Sequence, residues 1–231
     1  MKTVHVILVA ILAPSLLTVR RVPGQSQAAA PPDVFQQRVG GLTLDGQTIV
    51  DAAAELSQST PAAYSVEFEL GKTIAEAAPP VRSLVAKVDA GTIPEVLDRL
   101  CELDATFTWK RVGNTANLFP RSLEGNPNYL LNRRVAVLTL TNAPDAEKAI
   151  FEAVDQLPGP KEQIAVLQTG ISLTFAKPWT ATFKDITIRE AFDQIAQQFG
   201  PTYGWQFGGA TDFRIITFHQ HLAAKPKGAA R

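Results

Sequence analysis

One stretch of the chain occurs twice, and this duplication limits the folds that the sequence can adopt. The segment TIPEVLDRLCELDATFTWKRV begins at Thr92, and TIREAFDQIAQQFGPTYGWQF begins at Thr187. After each threonine, apolar residues recur every three or four positions, which is the spacing of one helical face. A tryptophan then follows four residues before a glycine, as Trp109 in the first copy and Trp205 in the second. The two halves of the chain are therefore predicted to share one structural plan.

The strand and helix patterns around these copies come in the same order in both halves. Each half reads strand, helix, strand, and then strand, helix and hairpin, with hairpin turns near Gly113 and near Gly209. This order predicts the α+β class, with two tandem small domains built from duplicated strand-helix-strand units. The predicted divisions of the chain are a flexible lead over 29–40, a first domain over 41–121, a linker over 122–133, a second domain over 134–220 and a disordered tail over 221–231.

Each predicted helix begins with a side-chain acceptor that is followed three residues later by a carboxylate. Such a pair satisfies free N–H groups of the first turn, and each cap contributes about 1 kcal/mol. These residues are therefore assigned to folding rather than to chemistry. The four pairs are Thr48 with Asp51, Thr92 with Glu95, Asn142 with Asp145, and Thr187 with Glu190.

The first 28 residues have the pattern of an export signal. Lys2 precedes a mainly apolar stretch over 4–19, and the small residue Ala28 offers a cleavage site. The chain is therefore predicted to be exported to the periplasm. Arg20 and Arg21 directly follow the apolar stretch, and this favours the alternative of a segment retained as an inner-membrane anchor. Contact with a membrane is expected only through such an uncleaved segment.

The charge balance and the single cysteine exclude several classes of function. Lys plus Arg and Asp plus Glu number 22 each, and loss of residues 1–28 would leave 19 bases against 22 acids. Nucleic acid is therefore not expected as a partner, because proteins bind its phosphates with an excess of Lys and Arg that this chain does not have. Cys101 is the one cysteine, which excludes an internal disulfide and a cysteine-based metal cluster. Its place in a helical apolar stripe predicts that it is buried.

Five residues are candidates for contact with a ligand or partner. Asp98 and Asp193 are equivalent positions in the two copies, on the helix side opposite the apolar stripe, which predicts solvated carboxylates or a shared contact surface. Lys110 and Gln206 lie where the outer faces of the copies differ, so each unit could have its own partner there. Trp179 could stack on a sugar or a peptide.

Two further pairs could carry chemistry, but neither has the surroundings that it needs. His219 and His221 are two apart on a terminal strand and could chelate a metal, although no cysteine or acid accompanies them. Glu67 and Glu69 share a strand face that the alternating pattern places in water, whereas acid–base catalysis needs a cleft. No catalytic residue, metal site or cofactor is therefore predicted.

The segments LTLDGQTIVDAAAELSQST and VDAGTIPEVLDRLCELDATFTWKRVGNTANLF resemble the secretin and TonB-receptor short N-terminal domain. The resemblance covers 42–119, and 135–218 follows it more loosely. It implies two helices packed with two small sheets in each unit, no catalytic residue, and a role in protein contacts in the periplasm. The expected function is a non-enzymatic interaction module that binds another envelope protein. The alternative is a receptor for a small ligand or a cell-wall glycan, held in a cleft between the units and by Trp179.

Overall fold

The computed structural model describes residues 33–69, 71, 82–159, 163–167, 172–211 and 213–220. These residues belong to one compact unit over 32–231. The predicted export signal, the predicted tail over 221–231 and His221 lie outside the described residues. Among the helices that are described, none is long and apolar enough to cross a membrane.

The described residues of the first half, 33–120, form seven strands and two helices, which include the predicted strands and helices in their predicted order. It opens with a short 3-10 helix, Val34–Gln36. The strands and helices that follow are β1 (Arg38–Val39), β2 (Leu42–Thr48), α1 (Ile49–Ser59), β3 (Ala63–Glu67), β4 (Ser83–Val88), β5 (Gly91–Thr92), α2 (Ile93–Leu103), β6 (Phe107–Val112) and β7 (Thr115–Pro120).

In the described residues of the second half, 121–220, the order strand, helix, strand, strand, helix and hairpin recurs with five strands, of which β8 and β10 are the longest. This half begins with two short 3-10 helices, Arg121–Leu123 and Leu130–Asn132. Its strands and helices are β8 (Arg134–Asp145), α3 (Ala146–Asp155), β9 (Ile164–Leu167), β10 (Thr174–Thr187), α4 (Ile188–Gln197), β11 (Tyr203–Gly209) and β12 (Arg214–Gln220). Both predicted hairpins, β6–β7 and β11–β12, are present.

Strand pairing is the same in both halves. An antiparallel pair, β2–β4 or β8–β10, forms a separate two-stranded sheet. The strand after the first helix, β3 or β9, pairs in parallel with the last strand of its half, β7 or β12. The α+β class is therefore confirmed.

A parallel contact between β3 and β11 joins the two halves into one six-stranded sheet. The strand order is β6-β7-β3-β11-β12-β9. Residues paired in register across parallel strands point to the same face. Val66 of the first core is paired with Gln206, whereas Glu67 is paired with Phe207 of the second core. The helices of the two halves therefore cover opposite faces of the shared sheet.

Each half nevertheless has its own hydrophobic core. The first core packs α1 and α2 on β2, β3, β4 and β7, and the second packs α3 and α4 on β8, β10, β11 and β12. Strands β3 and β7 are buried along their whole length. They are buried on both faces because α4 of the second half packs on the face that α1 and α2 leave open. We call strands β3 and β11 together with α4 the junction.

The structure corrects three expectations. The lead over 29–40 was expected to be flexible, but its described part is folded: Phe35 is fully buried, and β1 pairs with β5. The linker over 122–133 is packed, with Leu130 and Leu131 buried in the second core. The third helix is capped by Asp145, whose carboxylate accepts from the Lys148 N–H, because β8 continues past Asn142. The other three predicted caps are confirmed.

Candidate functional site

The six-stranded sheet ends at β6 on one side and at β9 on the other. The residues that flank β9, 160–162 and 168–171, lie outside the described part of the chain. Every residue of strand β6 is described. It carries Lys110 and lies beside Asp98, two of the residues singled out from the sequence. The β6 edge is therefore the candidate site.

The turn after β6 determines which backbone groups point away from the sheet. Val112 is paired with Thr115 across a two-residue turn whose first residue, Gly113, has a φ of +58°. Residues that flank such a turn exchange hydrogen bonds with each other, and the direction of the N–H and C=O alternates along the strand. The backbone N–H and C=O groups of Trp109 and Arg111 therefore point outward. Within the described residues, no strand pairs with this edge.

The inner face of β6 carries a stack of three side chains. The Phe35 ring lies parallel to the Trp109 ring, with centroids 6.3 Å apart and 9° between the planes. The Arg111 guanidinium lies 4.3 Å from the centroid of the Phe35 ring and donates two hydrogen bonds of 2.8 Å to the Asp33 carboxylate. Those bonds lower the pKa of Asp33. The lead is therefore held against β6 by an aromatic stack and an ion pair.

The two equivalent aspartates make the same bond in different environments. Asp98 is exposed and accepts a hydrogen bond of 2.7 Å from the Trp109 indole N–H. Asp193 accepts one of 2.8 Å from the Trp205 indole N–H, but it is fully buried at the junction. The expectation of a solvated Asp193 is therefore wrong. The helical periodicity of α4 correctly placed Asp193 on the face opposite the apolar stripe, but the first half of the chain packs on that face.

Asp193 lies in a polar cluster that crosses the junction. Its carboxylate also accepts from the Asn117 amide at 2.8 Å and from the Ser65 hydroxyl at 3.4 Å. Burial raises the pKa of Asp193 to about 7, and the bonds from Asn117 and Trp205 oppose that rise.

Glu67 is the second acid of this cluster, and the expectation that it faces water is also wrong. It is fully buried, and its two oxygens accept from Arg189 Nε at 2.5 Å and Nη2 at 3.0 Å. Burial raises the pKa of Glu67, and Arg189 opposes this effect. Arg189 also donates to the Asn132 amide oxygen at 2.6 Å and lies over the Phe119 ring. The cluster links the halves, and both of its carboxylates are fully buried.

The remaining predicted residues lie apart from the β6 edge. Trp179 is half-buried on β10 and packs edge-on against Phe175 and Phe183. Gln206 is half-buried at the junction, beside Val66. His219 is half-buried on β12, and within the described residues no group of three or more possible metal ligands occurs.

Cys101 is buried in α2, as expected. Burial raises the pKa of its thiol to about 12, so little of the nucleophilic thiolate forms at neutral pH.

Hollows lie on both sides of β6. One, of about 340 Å³, is lined by residues that include Asp98, Trp109 and Arg121. The other, of about 300 Å³, separates the halves and is lined by residues that include Lys110 and Arg189. Trp179 does not line this second hollow, so the cleft between the halves and the tryptophan that were expected to act together are separate. Side chains of an extended peptide alternate between faces, so both hollows are accessible to one bound strand.

A larger hollow, of about 570 Å³, lies beside α2 and β5. Several of its charged residues already bond to each other or to the backbone. Arg99 pairs with Glu102 at 2.6 Å, and Glu95 accepts from the Thr92 N–H at 2.7 Å. These contacts belong to α2 and leave the hollow with the character of an ordinary charged surface.

Comparison of the chain with models of known protein families, with curated proteins and with solved structures gave no significant match. The functional assignment therefore depends on the residues themselves. Sequence reasoning missed Arg189 and Phe35, which hold the junction and the lead in place. The sequence carried no signal for Arg189, because a base and an acid four residues apart on a helix, as Arg189 and Asp193 are, form the ordinary pattern of a solvated face.

Proposed function

We propose that this chain is a non-enzymatic protein-interaction module of the cell envelope, and that its partner adds an extended segment to the β6 edge. The observation that carries the proposal is the outward-pointing backbone of Trp109 and Arg111 at the end of a six-stranded sheet. Unpaired N–H and C=O groups on an edge strand are a template for a further strand.

The second half supports this assignment, because its equivalent strand is already covered. Strand β11 corresponds to β6, and β3 pairs with it in parallel. The fold therefore already uses strand addition at this position once. The resemblance to the short N-terminal domain of secretins and TonB receptors, and the export-like first 28 residues, are consistent with an envelope partner.

The alternative of a receptor for a small ligand or glycan has weaker support. It required a cleft between the halves with Trp179 in its wall. The hollow between the halves is lined instead by mixed charges, among them Lys110, Glu124 and Arg189, and Trp179 is packed against two phenylalanines of its own strand.

Site-specific photocrosslinking in cells tests the proposal. A photoreactive residue at Lys110 should capture one defined protein, and the same residue at exposed Lys184 on β10 should not. In the chain with the photoreactive residue at position 110, the additional change Arg111→Pro removes an outward N–H and should abolish capture. Arg111→Ala keeps the N–H and should retain more capture than Arg111→Pro, although it loses the guanidinium. Equal capture from both positions, or capture that survives Arg111→Pro in a folded chain, would contradict strand addition at β6.

A further inference from the structure

The junction provides a template for what β6 can bind. Val66 and Glu67 of β3 lie in register with Gln206 and Phe207 of β11. Ser65, which precedes Val66, contacts Trp205, which precedes Gln206. The Ser65 oxygen accepts from the Trp205 backbone N–H at 3.3 Å, and its hydroxyl donates to Asp193. A hydroxyl therefore lies opposite the tryptophan, and an acid follows two residues later.

The aspartate and tryptophan that receive this hydroxyl recur at β6. Asp98 and Trp109 make the same indole-to-carboxylate bond as Asp193 and Trp205. The Asp98 carboxylate is exposed, so its remaining lone pairs are accessible to a donor from outside.

The lead does not compete with an added strand. Phe35 covers the inner face of β6, where it contacts Trp109 and Arg111. In the second half, Tyr129 packs edge-on against Phe207, with ring centroids 6.2 Å apart, while β3 is paired with the same strand. An aromatic residue on this face is therefore compatible with a covered edge.

The charge of β6 differs from that of β11, and this difference defines the partner. Arg111 stands where β11 has Phe207, and Lys110 stands where it has Gln206. The side chains of Lys110 and Arg111 are both exposed. A residue in register with Arg111 on a parallel strand points to the same face, beside the guanidinium. Each terminal nitrogen of the guanidinium donates one N–H to Asp33, and its second N–H can donate to an acid at that position in a charge-assisted contact that a base cannot form.

From this correspondence we infer that β6 binds an extended segment of its partner in parallel, with Ser or Thr opposite Trp109 and Asp or Glu opposite Arg111. The inference rests on the proposed function and specifies the chemistry of the partner at the same edge. It also distinguishes the partner from an arbitrary sheet-forming peptide, because orientation and charge are both specified.

A short peptide tests the inference on the whole chain. The probe is a fluorescent peptide with the sequence of 63–69, AYSVEFE, which contains the required Ser and Glu two residues apart. Its affinity for the protein is measured by fluorescence anisotropy. Changing the first Glu of the peptide to Lys should weaken binding at least tenfold, and changing Ser to Ala should weaken it severalfold. Neither change alters the protein, so neither result depends on whether a variant folds.

A charge exchange locates the contact, and a spin label reports the orientation. Arg111→Glu should bind the Lys peptide better than the Glu peptide, and Arg111→Ala should discriminate little between them. A spin label at the peptide N-terminus should broaden NMR signals near Phe107, and one at the C-terminus should broaden those near Gly113. No binding of AYSVEFE, antiparallel broadening, or equal affinity for the Glu and Lys peptides would each overturn the inference. Loss of all capture from Lys110 in cells would instead remove the proposed function on which it rests.

Discussion

Replacing Arg189 with methionine tests whether the junction depends on its buried ion pair. Methionine has a similar length and no charge, so the change removes both bonds to Glu67, the bond to Asn132 and the cation over Phe119. Glu67 is fully buried and would lose its charged partner. A buried carboxylate without a partner is costly, and the removal of one member of such a pair typically costs about 3–5 kcal/mol.

The pH dependence of this cost follows from the protonation of Glu67. In Arg189→Met the buried carboxyl group avoids a lone charge by taking up a proton, although its ordinary pKa is 4.5. Each unit between that pKa and the ambient pH costs about 1.4 kcal/mol. Arg189 opposes the rise of the Glu67 pKa in the wild type, so its removal raises that pKa further. The free energy of unfolding should therefore fall by about 3–5 kcal/mol at pH 7 and by less at pH 5.

Urea denaturation followed by circular dichroism and tryptophan fluorescence measures both values. Arg99→Met on α2 is the matched control, because Arg99 and Glu102 form an ion pair with side chains 70% and 63% exposed. Exposed pairs contribute at most about 1 kcal/mol. The double change Arg189→Met with Glu67→Met removes both buried charges and should be more stable at pH 7 than Arg189→Met alone. A loss no larger than that of Arg99→Met, or one that does not change with pH, would refute the reasoning.

Three further predictions concern the other buried groups. The pKa of Asp193 rises from 3.8 to about 7 on folding, so the folded chain keeps a proton on Asp193 at pH values where the unfolded chain has released it. The free energy of unfolding should therefore fall by up to about 4 kcal/mol as the pH rises from about 4 to 7. Asp193→Asn should flatten that fall in urea denaturation, and an unchanged slope would show that the proton is elsewhere. Cys101 should react with iodoacetamide at pH 8 far more slowly in the folded chain than in urea, since burial raises its pKa to about 12; equal rates would contradict the burial. Phe35→Ala should lower the free energy of unfolding by about 3 kcal/mol, because the ring is fully buried, whereas a free lead would lose nothing.

The sequence predicted those features that neighbouring residues determine. The Thr48, Thr92 and Thr187 caps are correct because a capping box involves only one helical turn. The cap at Asn142 failed because the pairing of β8 with β10 continues beyond it. Asn142 has a φ of +48°, and its N–H bonds to the Thr180 hydroxyl. A strand partner 38 residues away decided the outcome there.

The sequence did not predict which faces the second half covers. Alternation along β3 correctly placed Val66 and Glu67 on opposite faces, but it cannot show whether a distant helix packs on the second face. Glu67 and Asp193 were therefore assigned to water, although each has a hydrogen-bond partner in the other half. The candidate edge was only partly predictable for the same reason. Lys110 and Asp98 were identified from the sequence, but the end of the sheet at β6 follows from long-range pairing.

The paired aspartates show how one local motif can have two roles. Asp98 and Asp193 each accept a hydrogen bond from the equivalent tryptophan of their own half, at almost the same distance. The helix and the hairpin are therefore arranged alike in both halves. The two hairpins differ in their neighbour. Strand β3 covers β11, where its Ser65 donates to Asp193 and its Glu67 accepts from Arg189. A strand that covered β6 would desolvate Asp98 in the same way, and a carboxylate loses hydration at a cost unless a donor replaces the water. Strand addition at β6 therefore favours a partner that brings its own hydroxyl to Asp98, which makes the edge selective rather than generally adhesive.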